Sequence, residues 1–357
     1  MAVLDVAPPR SFSLPARAWI PLLGAATLAI AVIALGVGPV SIAPDRVAGL
    51  ILRTLTGQEL PTADLRDQAI VSVIRGPRIL LGLLVGAALG LCGGAMQALF
   101  RNPLADPGLI GVSSGAAFAA VAVIVGAGWL AAHGISGLWT LPTAAFLGGL
   151  IATFAVHRLG KLAGTGAAPM LLAGIAVNAV AMAGAGTLIY GADDRQMRDI
   201  TFWTFGSLGG ARWDGLAIML PFVAPPLLIL ILRARSLNAI LLGEREAAHM
   251  GVDITRLTAL VALCTASAVG ASVAASGVIG FVGVVAPHVA RLLVGGDNRL
   301  LLPASACLGA GLLVGADAIA RTVVAPAELP IGLLCSLLGA PFFLWLMVRQ
   351  GRANRFS

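Results

Sequence analysis

Along this chain, apolar runs about as long as a bilayer crossing alternate with short segments that gather the charged and turn-forming residues. A helix crossing a hydrocarbon core ~30 Å thick needs about 20 mostly apolar residues. Residues 18–38, 79–100, 215–232, 300–316 and 329–348 each supply one such span. Residues 107–156 and 257–290 contain no Asp, Glu, Lys or Arg. At ~1.5 Å per residue each is too long for one crossing and is predicted to fold back on itself. The breaks are placed near His133-Gly134 and Ser276-Gly277, where glycine lets the backbone turn. The 31 uncharged residues from Leu162 to Ala192 hold one more span, expected to begin after Pro169. The pattern predicts an all-α, polytopic membrane protein of about ten transmembrane helices, with residues 1–357 forming a single domain.

Composition agrees: 59% of the 357 residues are apolar and 11% charged, against roughly a quarter charged in a soluble domain. An ordinary water-soluble enzyme is excluded. Lys and Arg accumulate in cytoplasmic loops and so orient the chain. With the N-terminus inside, the inner segments carry 14 basic residues and the outer ones nine, while six acids fall inside and ten outside. Both termini are expected in the cytoplasm, residues 1–17 forming a tail ahead of an 18–348 bundle. The net charge of +7 reflects this asymmetry rather than a nucleic-acid-binding arm. A cleaved signal peptide is the competing reading of residues 1–38, but the 21 apolar residues of 18–38 exceed the roughly 7–15 of such peptides. Cys92, Cys264, Cys307 and Cys335 all lie in spans, form no CxxC pair and read as small packing residues.

Few residues here could perform chemistry. The only lysine, Lys161, stands in Gly160-Lys161-Leu162, with Ala155 where a phosphate-binding loop needs its first glycine. The chain is therefore no P-loop ATPase. An ion-coupled carrier usually places ionisable residues deep in its spans. The nearest candidate is Asp317, one helical turn from Arg321, and that spacing reads as an i,i+4 ion pair. Glu246 and His249 have the Glu-x-x-His spacing of di-iron bundles, which need two copies; one is present, on a loop. His288 follows Pro287 near a helix end and could ligate a metal or haem iron, and His133 at an outer turn is open to the same two readings, but a lone histidine in a turn is more often a hydrogen-bonding residue; no Ser/His/Asp arrangement is legible. No catalytic residue, metal site or cofactor is expected in the chain, which looks like a conduit.

Three segments stand out within that frame. Gly82, Gly86, Gly90 and Gly94 set a glycine stripe on one helix face, where a neighbouring backbone can approach closely. The segment RNPLADPGLIGVSSGA, residues 101–116, breaks a helix with two prolines. Irregular backbone at membrane depth needs protein or a water-filled cavity around it, so Asn102 and Leu104 are candidates for the rim of a pore. In GADDRQMRDITFWTFGSLGGARW, residues 191–213, charge is mixed with Phe202, Trp203, Phe205 and Trp213. The plain reading is an interfacial aromatic belt. The functional one is a short helix at a vestibule rim, with Arg195 and Arg198 on one face towards an anionic cargo.

The chain resembles the FecCD-type permease subunits of ABC importers for iron-siderophore, haem and cobalamin. The matching stretches are IRGPRILLGLLVGAALGLCGGAMQALFRNPLADPGLIGVSSGA, FWTFGSLGGARW, LNAILLGEREAAHMGVD, GVIGFVGVVAPHVARLLVGGDNRLLLP and GADAIARTVVAPAELPIGLLCSLLGAPFF. They cover nearly everything from Ile74 onward, in family order. The resemblance implies a type II ABC importer permease fold and a homodimer in the bacterial inner membrane. A periplasmic substrate-binding protein would feed it, and two cytoplasmic ATPase subunits, which bind the ATP and Mg, would power it. It further implies that Arg75, Arg78 and Arg321 dock acidic residues of the binding protein; all three fall on the outer side by charge count. The 236–256 loop would couple to the ATPase through Glu244, Arg245, Ala247, Ala248 and Gly251, with a solvated loop as the bland alternative. Asn102 and Leu104 would form a cytoplasmic gate with Thr165 and Gly166, although the latter segment reads GTGAA rather than a run of hydroxyl residues.

Alternating access is the expected mechanism, with polar residues such as Asn178, Ser267, Ser272 and Ser305 fitting a weakly interacting wall. The stretch RQMRDITFWTFGSLGG looks most like haem permeases. Arg195 and Arg198 beside Phe202 and Trp203 suit a flat ring bearing two propionates. Haem is therefore placed first as cargo, ferric siderophore second and cobalamin third. An ion-coupled secondary transporter and a sensor or assembly protein are the alternatives of other classes.

Overall fold

The computed structural model describes residues 15–56, 64–164, 167–325 and 327–353, and regular structure among them is entirely helical. The chain runs through α1 (Trp19–Gly36), α2 (Pro44–Thr56), α3 (Leu65–Ala69), a π-helical turn (Ile70–Arg75) and α4 (Gly76–Leu99). A 3-10 turn (Pro107–Ile110) leads into α5 (Val112–Val125), followed by α6 (Ala127–Ala132), α7 (Thr140–Ala163), α8 (Ala167–Tyr190) and α9 (Asp194–Phe205). The remainder is α10 (Trp213–Leu232), α11 (Ala234–Leu242), α12 (Glu244–His249), α13 (Ile254–Ser276), α14 (Val282–Val294), α15 (Asn298–Val323) and α16 (Ile331–Ala353).

Among the described residues, seven helical segments are long and apolar enough to cross a membrane: α1 with its preceding turn, the continuous Leu65–Leu99 rod, α7, α8, α10, α13 and α15. Two shorter apolar helices, α5 and α14, and the 23-residue α16 occupy the remaining expected spans. With 14 and 13 residues, α5 and α14 reach only about 20 Å. Irregular backbone supplies the missing length: the 3-10 turn ahead of α5 and residues 277–281 ahead of α14. Both lie inside protein, as unpaired backbone groups in a bilayer require. Pro107 and Ile110 are buried, and Ser207 N donates to the Ser276 carbonyl at 2.7 Å beside the second break.

Helix α4 is the axis of the bundle. Apolar or glycine on nearly every face, it packs against α15, α14, α13 and α10. The glycine stripe makes those contacts close: Gly86 meets the Gly309-Ala310 backbone and Gly90 the Ser305 carbonyl, while Gly93 abuts Gly283. Large apolar side chains are left facing outward on α1, α7, α8 and α10, among them Leu28, Ile151, Phe154, Val180 and Leu228. That distribution suits contact with lipid, which is as apolar as the core. Amphipathic α2 was not predicted, because Asp45, Arg46 and Arg53 remove it from any search for charge-free runs. It buries Val47 and Leu50 and pairs Arg46 with Asp67 at 3.0 Å.

Candidate functional site

The first candidate region lies where α4, α7, α10 and α14 end and α8, α13 and α15 begin. Here α12 is a separate short helix bounded by glycines in the left-handed region, Gly243 at φ +133° and Gly251 at φ +83°. Ala247 is fully buried in the chain's own core, so it offers no surface to a partner. The outward surface is formed instead by Arg245, Ala248 and Gly251. Glu244 turns towards α8 and accepts the Ala167 N–H at 3.3 Å. Arg101 at φ +49° bends the chain out of α4. In the following turn, Leu104 N donates to Asn102 Oδ1 at 2.9 Å, leaving both residues exposed. A cavity of about 560 Å³ connects these parts, bordered by Arg101, Asn102, Ala167, Leu171, Glu244 and Arg245. Thr165 and Gly166 lie outside the described residues.

At the opposite end, the three arginines expected in external loops are built into the bundle. Arg75 closes the π-helical turn and donates to the carbonyls of Leu35, at 2.6 Å, and Val40, tying down the end of α1. Arg78, in the first turn of α4, grips Asp317 of α15 through Nε and Nη2, at 3.0 and 2.8 Å. Its Nη1 donates to Glu328 at 2.8 Å. Arg321 pairs with the same Asp317 at 3.0 Å, as the i,i+4 spacing indicated. Arg75, Arg78, Arg321 and Asp317 are 3, 6, 3 and 2% exposed, whereas the Glu328 side chain is 45% exposed. Glu328 is therefore the part of this cluster that faces outward. A bidentate, charge-assisted network of this kind is the arrangement in which buried guanidiniums are tolerable.

Helix α9 lies at the same end, opened by a capping box in which the Asp193 carboxylate accepts from Arg195 N and Gln196 N, while Asp193 N donates to Gln196 Oε1. Ile200 is buried beneath it and Trp203 packs against the core. Arg195, Arg198 and Phe202 are exposed, Phe202 at 62%. Trp203 thus stands apart from the other three members of the expected vestibule.

The supposed polar wall is also redistributed. Ser272 and Ser305 are buried within the bundle, so neither lines an open path, and each hydroxyl bonds back to its own helix, to the carbonyls of Ala268 and Leu301. Ser267 donates to the Phe222 carbonyl at 2.8 Å.

The FecCD transport family profile matches residues 26–349. The chain belongs to the FecCD transport family. This FecCD chain is 47% identical over 277 residues to the hemin transport system permease protein HmuU of Yersinia pestis, covering 78% of this chain and 82% of that protein. It is 42% identical over 289 residues to the cobalamin import system permease protein BtuC of Halobacterium salinarum, covering 78% and 73% respectively. To the vitamin B12 import system permease protein BtuC of Klebsiella pneumoniae it is 40% identical over 285 residues, covering 80% and 84%. A solved structure described as an inward-facing conformation of a metal-chelate type ABC transporter superposes with a TM-score of 0.80 and 33% identity, covering 92% of this chain and 98% of that one. The chain is an ABC importer permease, a multi-pass membrane transport subunit.

Two features of this FecCD permease were not legible in its sequence. The first is that Arg78 and Glu328 belong with Asp317, since they are 239 and 11 residues away from it along the chain. The second is that Glu244 faces α8. Its only sequence signal is an acid after a glycine, which as easily marks a solvated helix start.

Proposed function

We propose that this permease carries haem into the cytoplasm, as one half of a homodimer in the bacterial inner membrane. The α12 end and both termini then lie inside, which agrees with the excess of basic residues on that side. A periplasmic binding protein delivers cargo to the α9 end, and two ATPase subunits seat against Arg245, Ala248 and Gly251. The ATP and Mg are bound by those subunits, and the permease holds no cofactor of its own. The observation that carries haem is the exposed face of α9, where Arg195 and Arg198 stand with Phe202. Two guanidiniums can hold paired carboxylates while an aromatic face stacks on a flat ring. The 47% identity to the hemin permease, against 42% and 40% to the cobalamin permeases, supports haem over cobalamin.

Transport proceeds by alternating access. ATP closes the ATPase subunits, α12 is displaced, and the two halves of the dimer rock about their interface. Cargo released at the α9 end passes the constriction at Asn102 and Leu104 and leaves inward. Docking of the binding protein uses Arg78, with an incoming carboxylate replacing Glu328 on the guanidinium, while Arg75 and Arg321 hold the platform in shape.

The test is uptake by proteoliposomes containing the permease, its ATPase and its binding protein, offered haem, a ferric siderophore or cobalamin. ATP-dependent haem uptake is expected. Arg195→Ala with Arg198→Ala should lower it about tenfold, the equivalent of ~1.4 kcal/mol. Uptake of cobalamin or siderophore in preference to haem overturns the cargo, and uptake without the ATPase overturns the mechanism.

A further inference from the structure

Among the described residues, helix α12 meets α8 through one polar contact, the Glu244 carboxylate accepting the backbone N–H of Ala167 at 3.3 Å. Ala167 opens α8, so its N–H is among those a helix leaves without an internal acceptor, at the end where the macrodipole favours negative charge. Cavities of about 560 and 300 Å³ lie beside this contact, and Glu244 and Arg245 line both. The first is shared with Asn102, Ala168 and Leu171, the second with Gly160, Gly164 and Met170. The carboxylate is thus a strut across an otherwise open junction. Gly243 at φ +133° and Gly164 at φ +151° flank it, giving the backbone on both sides freedom to turn.

On the face of α8 that carries Ala167 and Leu171, the helix is fastened to the chain that continues from the Asn102–Leu104 turn. Gly174 lies so close to the Leu109 carbonyl that an added Cβ would sit 1.9 Å from the oxygen. One turn later, Asn178 Nδ2 donates to the Gly108 carbonyl at 3.3 Å, and Asn178 Oδ1 accepts the Ser114 hydroxyl. The other buried residues of α8 are only Met170 and Ala185, and much of its surface is open. A shift of α8 therefore carries residues 108–110 with it or breaks these contacts.

We infer that Glu244 is a positioning residue that transmits displacement of α12 to α8, and through Gly174 and Asn178 to the Asn102–Leu104 turn. The inference rests on the proposed function, in which α12 is the seat of the ATPase. It assigns Glu244 inward, to this chain's own gate helix, and leaves the ATPase contact to Arg245, Ala248 and Gly251.

The experiment measures cargo moved per ATP hydrolysed by the complete transporter in proteoliposomes. Glu244→Ala should lower that ratio about five- to tenfold, the low end of ordinary coupling between sites. Glu244→Gln, which keeps an acceptor and loses the charge, should lower it less. Spin labels at Leu172→Cys and Met250→Cys should keep one distance in nucleotide-free and ATP-bound transporter, and Glu244→Ala should broaden it. A wild-type ratio in Glu244→Ala overturns the inference. So does a label distance that changes between the two nucleotide states with Glu244 intact, a reading that does not depend on the alanine variant assembling. Ala248→Trp tests the underlying seat separately, through co-purification of the ATPase. If the ATPase stays bound, α12 is not its seat and the proposed function fails at that point. If it is released while Glu244→Ala keeps the wild-type ratio, the role of Glu244 alone is wrong.

Discussion

Asp317 holds two guanidiniums inside the bundle, and the three side chains depend on one another unequally. Removing Asp317 leaves both Arg78 and Arg321 without their shared carboxylate, whereas removing Arg78 leaves Asp317 its bond to Arg321. Breaking a buried pair by deleting one member costs about 3–5 kcal/mol, while exposed pairs contribute about 0–1 kcal/mol. Thermal unfolding in detergent should rank Asp317→Ala as most damaging, Arg78→Ala next, and Glu328→Gln within about 1 kcal/mol of wild type. A large loss in Glu328→Gln would show that the outer carboxylate is structural and not free to exchange. Only part of this cluster was legible. The Asp317–Arg321 pair follows from spacing on one helix, but the partnership with Arg78 depends on α4 lying beside α15. Of the polar residues that fit a weakly interacting wall, Ser272 and Ser305 prove to be buried; sequence could not choose among them, because a hydroxyl on a helix bonds back to its own carbonyls whichever way the helix faces.

Helix α4 approaches α15 at backbone distance, and the glycine stripe permits it. A Cβ on Gly90 would lie 2.2 Å from the Ser305 carbonyl oxygen, and one on Gly86 2.3 Å from that of Gly309. Because the obstacle is backbone, no side-chain rotation relieves it. Gly90→Ala should destabilise the detergent-solubilised protein by about 1–3 kcal/mol, in the range of overpacked cores. Gly186 on α8 has nothing within 4 Å of an added Cβ. Gly186→Ala should therefore be neutral, or stabilise by up to about 1 kcal/mol through helix propensity. Equal losses in the two variants would remove this account of the stripe. The spacing of four was legible as a helix interface, but its partner helix was not. Charge-free runs located the ten apolar segments and missed α2, since an amphipathic helix lying on the bundle carries its charges in plain view.

At the scale of the whole molecule, the two ends of the bundle differ in charge and in architecture. Cys92, Cys264 and Cys335 are buried, and replacing the half-buried Cys307 by Ser leaves a quiet background for added cysteines. Ala248→Cys should react with a membrane-impermeant thiol reagent only in inside-out vesicles, and Met197→Cys only in right-side-out ones. The reverse pattern would invert the orientation and with it the direction of transport. The sequence alone determined that the chain is a helical membrane bundle, how many apolar segments it has, where they break and which family motifs they carry. Those properties are local: twenty apolar residues, a glycine pair or a run of arginines act the same way wherever the segment sits. Tertiary structure decided that Arg75, Arg78 and Arg321 are buried, that Ala247 faces inward, that Trp203 leaves the exposed face of α9 and that Glu244 reaches the start of α8. Each of these depends on which helix is the neighbour, and in a chain this apolar most faces are equally greasy, so composition cannot choose among them.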